Sequence, residues 1–334
     1  MQRDDNMRRR SLPHRSRSGP YVGLVPTSTP SRPTYVLGAG FSKAISDAMP
    51  LMDELGRVLQ QRLAGEITFD IREDESFEDW LTLQVTPLPF LEGFANARRS
   101  ATAARVVAEI AKVLDASERE VTAAAAPTWL RQLLALWDAE QAAVLTFNYD
   151  TLIERAVNTS PIATLEDDRN LGVAFGDHLV FPAPPPPPAA TWGDVGLPHT
   201  PASFQLLKLH GSLAWYWSER DLTGSTLVRT REREAFGSKA IAHRDHDFSG
   251  TTTLDRYLIP PVTSKDGYYG SYLASTLWRS AHAIIARATS LTLIGYSLPT
   301  GDRVAGELVS ACDPACLIWL ITVEGVVVGA SVPG

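Results

Sequence analysis

The stretch Tyr35-Val36-Leu37-Gly38-Ala39-Gly40-Phe41-Ser42 decides how this chain begins to fold. An apolar, β-prone run stops at two glycines that flank an alanine, and a serine then opens a segment with helical character. This order places small residues where a strand turns into a helix, so that a ligand's phosphates can approach backbone N–H groups at the helix N-terminus. A turn of this kind also closes strands in proteins that bind nothing. By itself, the stretch predicts a strand, a tight turn and a helix.

Three later segments share the character of the first, since each is an apolar run that ends in small or polar residues. The runs 142–147, 204–209 and 290–294 lead into Asn148, His210 and Gly295-Tyr296-Ser297, respectively. Ligands of open parallel sheets bind beyond the carboxyl ends of the strands. The sequence therefore predicts one polar site assembled from four strand ends.

Composition excludes several classes of protein. With 334 residues and 44% hydrophobic content, the chain can bury a large core, as one big domain or as a domain with an inserted module. A net charge of −7 argues against a general nucleic-acid binder, which needs clustered Lys and Arg. No apolar run approaches the length of a membrane-spanning helix. Cys312 and Cys316 are too few for a disulfide framework and fit a reducing cytoplasm.

The chain divides into a leader, a folded region and a tail. Residues 1–32 are rich in Arg, Ser and Pro, and we expect a disordered basic leader there; residues 323–334 form a short tail. Apolar spacing predicts helices over residues 43–63, with a break at Met49-Pro50, over 77 to about 116, around 129–137 and over 268–288. Strands are predicted at 255–259 and 317–322, and residues 224–250 read as loop.

Five motifs in this order resemble those of the sirtuin-like family of NAD-consuming proteins, in particular its zinc-free bacterial branch. The resemblance covers residues 33 to 322 and implies an α/β fold, a Rossmann-like parallel sheet flanked by helices. It also implies a helical module inserted at about residues 75–140, with NAD bound as the substrate. The motifs are 38–42 (GAGFS), 146–150 (TFNYD), 208–212 (KLHGS), 259–261 (IPP) and 294–299 (IGYSLP).

The resemblance assigns catalytic positions to two residues. A neutral imidazole near the ribose hydroxyls can act as a general base, and His210 occupies that place. Asn148 matches the family's catalytic asparagine, although an asparagine here could also cap the helix that follows. Asp150 matches the acid that contacts the nicotinamide carboxamide and is equally suited to be a helix N-cap, so both interpretations of Asp150 stay open.

The remaining motif residues are expected to hold the dinucleotide. The first motif would cradle the pyrophosphate, and the last would close the wall around the adenosine half. Tyr296 would either cover a base or ribose or pack inward, and Asp53 matches an acidic residue near the nicotinamide pocket. The predicted NAD-contacting residues are Gly38, Ala39, Gly40, Phe41, Ser42, Asp53, Asp150, Gly295, Tyr296 and Ser297.

Two departures from deacylating sirtuins shape the expected function. No cysteine lies between His210 and Cys312, so the four ligands of a structural zinc site are missing and no metal is expected. We expect His243–Asp247 to be a solvated loop rather than a metal cluster. Residues 259–261, with Lys265, match the zinc-free branch where a deacetylase would present its peptide-binding strand.

The resemblance therefore implies an NAD+ glycohydrolase that yields nicotinamide and ADP-ribose in bacterial anti-phage defence. It also implies control by homo-oligomerisation or by a sensor or activator protein encoded nearby, with no membrane and no directly bound nucleic acid. Two alternatives stay open at this stage. One is an NAD-dependent protein deacylase or ADP-ribosyltransferase, and the other is a non-catalytic module that binds NAD or ADP-ribose.

Overall fold

A computed structural model of the chain describes residues 31–157, 204–218, 227–229, 235–237, 254–298, 302–322 and 325–328. Its strands, in chain order, are β1 Thr34–Leu37, β2 Ala143–Thr146, β3 Gln205–Lys208, β4 Gly211–Ser218, β5 Leu227–Arg229, β6 Leu254–Leu258, β7 Ser290–Ile294, β8 Leu317–Thr322 and β9 Gly325–Val328. Six strands form the main sheet in the order β3-β2-β1-β7-β8-β9. The first five are parallel, and β9 runs antiparallel to β8. The predicted α/β fold with a parallel sheet flanked by helices is confirmed.

The central strands are buried on both faces, as expected for a parallel sheet covered by helices. All four residues of β1 and of β2 are buried. The register places Leu37 opposite both Thr146 and Ile294, and Thr146 opposite Lys208. The carboxyl ends of these four strands are therefore level, and the segments that follow them begin at one edge of the sheet.

The described helices are α1 Ala39–Ile45, α2 Met52–Arg62, α3 Phe77–Val85, α4 Gly93–Thr122, α5 Thr128–Glu140, α6 Leu152–Val157, α7 Asp266–Tyr269, α8 Tyr272–Ile285 and α9 Arg303–Ser310. The region predicted as helical from residue 77 to about 116 is two helices. Pro87 and Pro89 lie in the break, and each lacks the N–H that a helix interior requires. The region predicted over 268–288 is likewise divided, because Ser271 caps the start of α8 by accepting a hydrogen bond from the Ala274 N–H.

Helices α3, α4 and α5 all lie between β1 and β2 in the chain, within residues 77–140. A capping box starts α3, in which the Ser76 hydroxyl accepts from the Asp79 N–H and the Asp79 carboxylate accepts from the Ser76 N–H. Along α4, the apolar stripe predicted from spacing is buried at Val106, Ile110 and Val113. Helix α4 packs against both α2 and α3. These helices therefore share one hydrophobic core with the sheet.

A second, antiparallel sheet has the order β5-β4-β6 and begins directly after His210. Gly211 has φ +89°, and a Cβ at this position would lie 2.1 Å from the Tyr257 carbonyl oxygen. Only glycine fits there. Strand β5 also corrects the sequence analysis, since residues 227–229 lie inside a predicted loop and instead pair with β4. The His243–Asp247 segment lies outside the described residues.

The two ends of the folded region both contact the main sheet. The Pro33 carbonyl accepts from the Ala143 N–H of β2 at 3.0 Å, and residues 1–30 of the predicted leader lie outside the described part of the chain. Strand β9 lies within the segment 323–334 that the sequence analysis assigned to a tail, so the sheet continues past residue 322. None of the helices in the described ranges is long and apolar enough to cross a membrane.

Candidate active site

The turns that follow β1 and β7 are in direct contact. The Gly38 N–H donates to the Ile294 carbonyl at 3.1 Å, and the Gly40 N–H donates to the Gly295 carbonyl at 2.9 Å. A Cβ on Gly38 would lie 2.6 Å from the Gly295 oxygen. Contact between two backbone segments therefore accounts for the glycines. The structure gives them a packing role, and their predicted contact with a pyrophosphate stays a prediction.

This contact lies at the point where the strand order reverses. From β1 the sheet grows one way through β2 and β3, and the other way through β7 and β8. Open α/β sheets bind ligands at such a switch point, outside the carboxyl ends of the strands. Ala39 of the first turn and Ser297 and Leu298 of the second are exposed, whereas Gly38 is buried. A ligand at the switch point would meet the exposed residues first.

Asn148 joins the first motif to the second. Its Nδ2 donates to the Gly38 carbonyl and to the Ser42 hydroxyl, both at 2.8 Å. Because a carbonyl oxygen only accepts, these contacts settle which atom of the amide is nitrogen. They also leave Oδ1 as the acceptor that Asn148 can offer to a ligand. Asn148 is half-buried, and its amide spans the turn and α1 rather than capping α6.

Ser42 and Asp150 form the buried part of the same network. The Ser42 hydroxyl donates to Asp150 Oδ2 at 2.6 Å, and the Leu152 N–H donates to Asp150 Oδ1 at 3.3 Å. Asp150 thus acts at the start of α6, one of the two roles expected for it. Ser42, predicted to meet a phosphate, is only 3% exposed and bonded to Asn148 and Asp150. Burial raises the pKa of Asp150 to about 6, although Lys208 opposes that shift.

His210 lies at the carboxyl end of β3 and is 6% exposed. Its backbone carbonyl accepts from the Ile259 N–H at 2.9 Å, which ties the residue to the 259–261 motif. Its Nε2 has no hydrogen-bond partner among the described residues. Burial, and secondarily the charge on Lys265, hold the pKa of His210 well below 6.5. The imidazole is therefore neutral at neutral pH.

Aromatic rings surround His210. The Phe147 ring lies 4.9 Å from the imidazole between centroids, and the Trp278 ring lies 6.2 Å away. Tyr296 stacks on Phe147 at 4.6 Å and is 8% exposed, so it packs inward. Tyr269 makes an edge-on contact with Trp278 at 4.9 Å. Segments after β2, β3 and β7 thus meet α7 and α8 in one apolar wall beside the imidazole.

A group of charged residues beside His210 was largely missed by the sequence analysis. Lys265 Nζ contacts Asp302 Oδ2 at 3.2 Å, and both side chains are nearly buried. Glu78, in the first turn of α3, lies close enough for the charges of both residues to act on its pKa. Lys265 was noticed only as part of the 259–265 segment. Glu78 could have been found as a first-turn acid of a predicted helix, whereas no helix was predicted after Asp302, and nothing in the sequence placed either residue near His210.

Two residues that were predicted to contact NAD lie on the surface and in the hydrophobic core, respectively. Asp53 is exposed on α2, and its charge reaches Glu78. Phe41 is buried, and the centroid of its ring lies 5.9 Å from that of Trp129 and 6.2 Å from that of Trp137. Because both tryptophans lie in α5, Phe41 belongs to the hydrophobic core beside the helical module.

Comparison of the chain with protein-family models and with curated proteins finds no match.

Proposed function

We propose that this chain is an NAD+ glycohydrolase that cleaves the bond between nicotinamide and ribose. The observation that carries the proposal is the buried imidazole of His210, with no partner for Nε2 in the described chain. It lies at the same sheet edge as Asn148, whose Oδ1 is left to accept. A buried polar atom without a partner is costly, and such atoms occur at functional sites.

The chemistry suits this arrangement because the nicotinamide ring of NAD+ is cationic and becomes neutral when nicotinamide leaves. The C1′–N bond breaks with its electron pair going to the ring nitrogen, and an oxocarbenium-like centre develops on the ribose. Water attacks C1′, and its proton passes to His210 Nε2 and then to solvent. Asn148 Oδ1 would accept from the attacking water or from a ribose hydroxyl. The dry aromatic wall beside His210 would strengthen these electrostatic interactions.

The biological setting of the proposal follows from the resemblance. NAD depletion during phage infection, inside the bacterial cytoplasm, is the role of the relatives that the five motifs resemble. A homo-oligomer or a sensor protein would then control the activity. The cleavage of NAD+ can be measured directly, before any question of its control.

Nicotinamide release from NAD+ by the purified full chain, with products separated by chromatography, tests the proposal. We expect His210→Ala and Asn148→Ala to lower turnover by about 10²–10⁴, the range for loss of a positioned acid–base group. His282→Ala is the matched control, because His282 is exposed in the last turn of α8. Turnover by His210→Ala at the wild-type rate would refute the assignment, and so would products other than nicotinamide and ADP-ribose.

The pH profile supplies a second readout for His210. The reaction requires the neutral imidazole, and the pKa of His210 lies well below 6.5. We therefore expect the activity to persist as pH falls below about 6.5, where a free imidazole would already be protonated. An acidic limb of kcat/KM centred at or above that pH would contradict the base assignment.

A further inference from the structure

Helix α3, part of the helical module, brings Glu78 close to Lys265 and Asp302, the charged residues beside His210. The Thr82 and Thr263 hydroxyls lie 3.1 Å apart, and the Thr263 N–H donates to Thr82 Oγ1 at 2.8 Å. Glu78 precedes Thr82 by four residues and so lies on the same face of the helix. The face of α3 that contacts Thr263 therefore presents Glu78 toward Lys265, two residues further along.

The charges at this place do not balance. Lys265 is paired with Asp302, and their side chains are 7% and 11% exposed. Glu78 is half-buried, and its carboxylate makes no hydrogen bond within the described part of the chain. Among the residues that the structure describes, two carboxylates face one ammonium group, which leaves one net negative charge. Asp53, exposed on α2, adds to the negative field at Glu78.

This negative charge adjoins the aromatic wall and the His210 imidazole, whose Nε2 has no hydrogen-bond partner in the described part of the chain. The charges of Glu78 and Asp302 both act on the Tyr296 hydroxyl, and Lys265 acts on His210. The His210 side chain, with its unpartnered Nε2, is more than nine-tenths buried and packs beside Trp278. Helix α7, which follows Lys265 directly, contributes Tyr269 to the same wall. Carboxylates, a partnerless nitrogen and aromatic faces thus occur together.

We propose that Glu78 and Asp302, with the rings of Trp278 and Tyr296, form a subsite for a positively charged aromatic ring. The inference rests on the proposed function, in which the ring would be the nicotinamide cation of the oxidised dinucleotide. A planar cation gains attraction both from aromatic faces and from a nearby carboxylate that lacks its own counter-ion. A neutral ring of the same shape gains only the packing. Glu78 is then the residue that makes the site prefer the cation.

Binding of two small rings separates charge recognition from catalysis. 1-Methylnicotinamide carries the ring cation, and nicotinamide is its neutral counterpart. The affinity of the full chain for each is measured by ligand-observed NMR titration, for the wild type and for Glu78→Gln. Glu120→Gln is the matched control, since Glu120 is an exposed acid on α4. Thermal unfolding of each variant verifies that the fold is retained.

We expect Glu78→Gln to weaken 1-methylnicotinamide binding by roughly three- to tenfold, the scale of one partly screened charge pair. Nicotinamide affinity should change by less than about twofold, and Glu120→Gln should change neither affinity. The proposal would be overturned if the wild type bound neither ring, if it failed to prefer the cation, or if Glu78→Gln weakened both rings equally.

The dependence of the cation's affinity on pH provides a second measurement on the same proteins. Burial raises the pKa of Glu78, against the opposing charge of Lys265. Protonation therefore removes the Glu78 charge at a higher pH than for an exposed glutamate, and wild-type affinity for the cation should fall as pH is lowered. The Glu78→Gln variant should not show the part of this fall in affinity that comes from protonation of Glu78. Other titratable groups near Glu78 are present in the wild type and in Glu78→Gln alike, so their titration does not distinguish the two proteins. These groups are Asp53, Asp79, Tyr149, Lys265, Tyr296 and Asp302.

The outcome for this subsite is independent of the outcome for the reaction. Cation binding that depends on Glu78, without nicotinamide release from NAD+, would support the subsite and count against the hydrolase. Nicotinamide release with a cation affinity unchanged by Glu78→Gln would support the hydrolase and overturn the subsite.

Discussion

Replacing Gly295 by alanine places a methyl group where the turns after β1 and β7 meet. Gly295 has φ +61°, in the left-handed region that residues with a Cβ rarely adopt. An added Cβ would lie 2.2 Å from the Phe41 nitrogen and 2.4 Å from the Gly40 carbonyl carbon. Both neighbours are backbone atoms at the start of α1, so no side chain can rotate away to make room.

The expected cost has two parts. Holding a residue with a Cβ in the left-handed region costs about 1 kcal/mol. Forcing a methyl group into a packed backbone contact adds about 1–3 kcal/mol. The unfolding free energy should therefore fall by about 2–4 kcal/mol, out of a total of about 5–15 kcal/mol for a typical domain. For a domain of this size the corresponding fall in Tm is roughly 4–16 °C.

Urea and thermal unfolding followed by circular dichroism measure this cost, with Gly306→Ala as the control. Gly306 lies inside α9, and apart from its chain neighbours and the backbone of its own helix, no described atom lies within 4 Å of a Cβ built there. Alanine at this position should stabilise the protein by about 0.5–1 kcal/mol through helix propensity. If Gly295→Ala were as stable as the wild type, the packing explanation for the paired glycine turns would be wrong.

Two further predictions concern buried carboxylates. Burial raises the pKa of Asp150 to about 6, from an ordinary value of 3.8. The folded chain thus holds this proton more tightly than the unfolded chain, and the unfolding free energy should fall by up to about 3 kcal/mol as pH rises from about 4 to about 6. Asp150→Asn should lack this fall in urea unfolding across that range, and identical pH dependence in both proteins would contradict the argument. Glu118, 2% exposed, accepts from Arg155 and from the Thr151 hydroxyl. Glu118→Gln removes the negative partner of a buried ion pair and should cost about 3–5 kcal/mol in chemical unfolding, whereas a loss below about 1 kcal/mol would show that the pair contributes little.

The parallel sheet could be predicted because its signals are local. Each apolar run needed only its own residues to be recognised as a buried strand, and the polar residues after each run marked the strand ends. The helix breaks were less predictable. Helix α7 stops before Gly270, and Ser271 starts α8 through a capping hydrogen bond, although the apolar spacing continues across the break.

The site could be predicted only in part, for the same physical reason. Asn148 and His210 were expected at one edge of the sheet because they come just after apolar runs, and the structure places both there, whereas their catalytic roles stay predictions. Ser42 was expected to meet a phosphate, but its hydroxyl donates to Asp150, 108 positions along the chain. Hydrogen bonds between residues so far apart depend on how α1 and α6 pack, and no local pattern in the sequence encodes that distance.

By itself, the sequence determined that parallel strands end together in small and polar residues, since apolar periodicity and glycine turns act over a few residues. Only the tertiary structure decided which of these residues already hydrogen-bond to, or pack against, one another. It placed the glycines of two turns in contact and brought Glu78 from α3 toward Lys265 and Asp302, and within the described ranges it gave His210 Nε2 no hydrogen-bond partner. Those outcomes arise from long-range packing, in which each side chain's surroundings are supplied by segments distant in the chain.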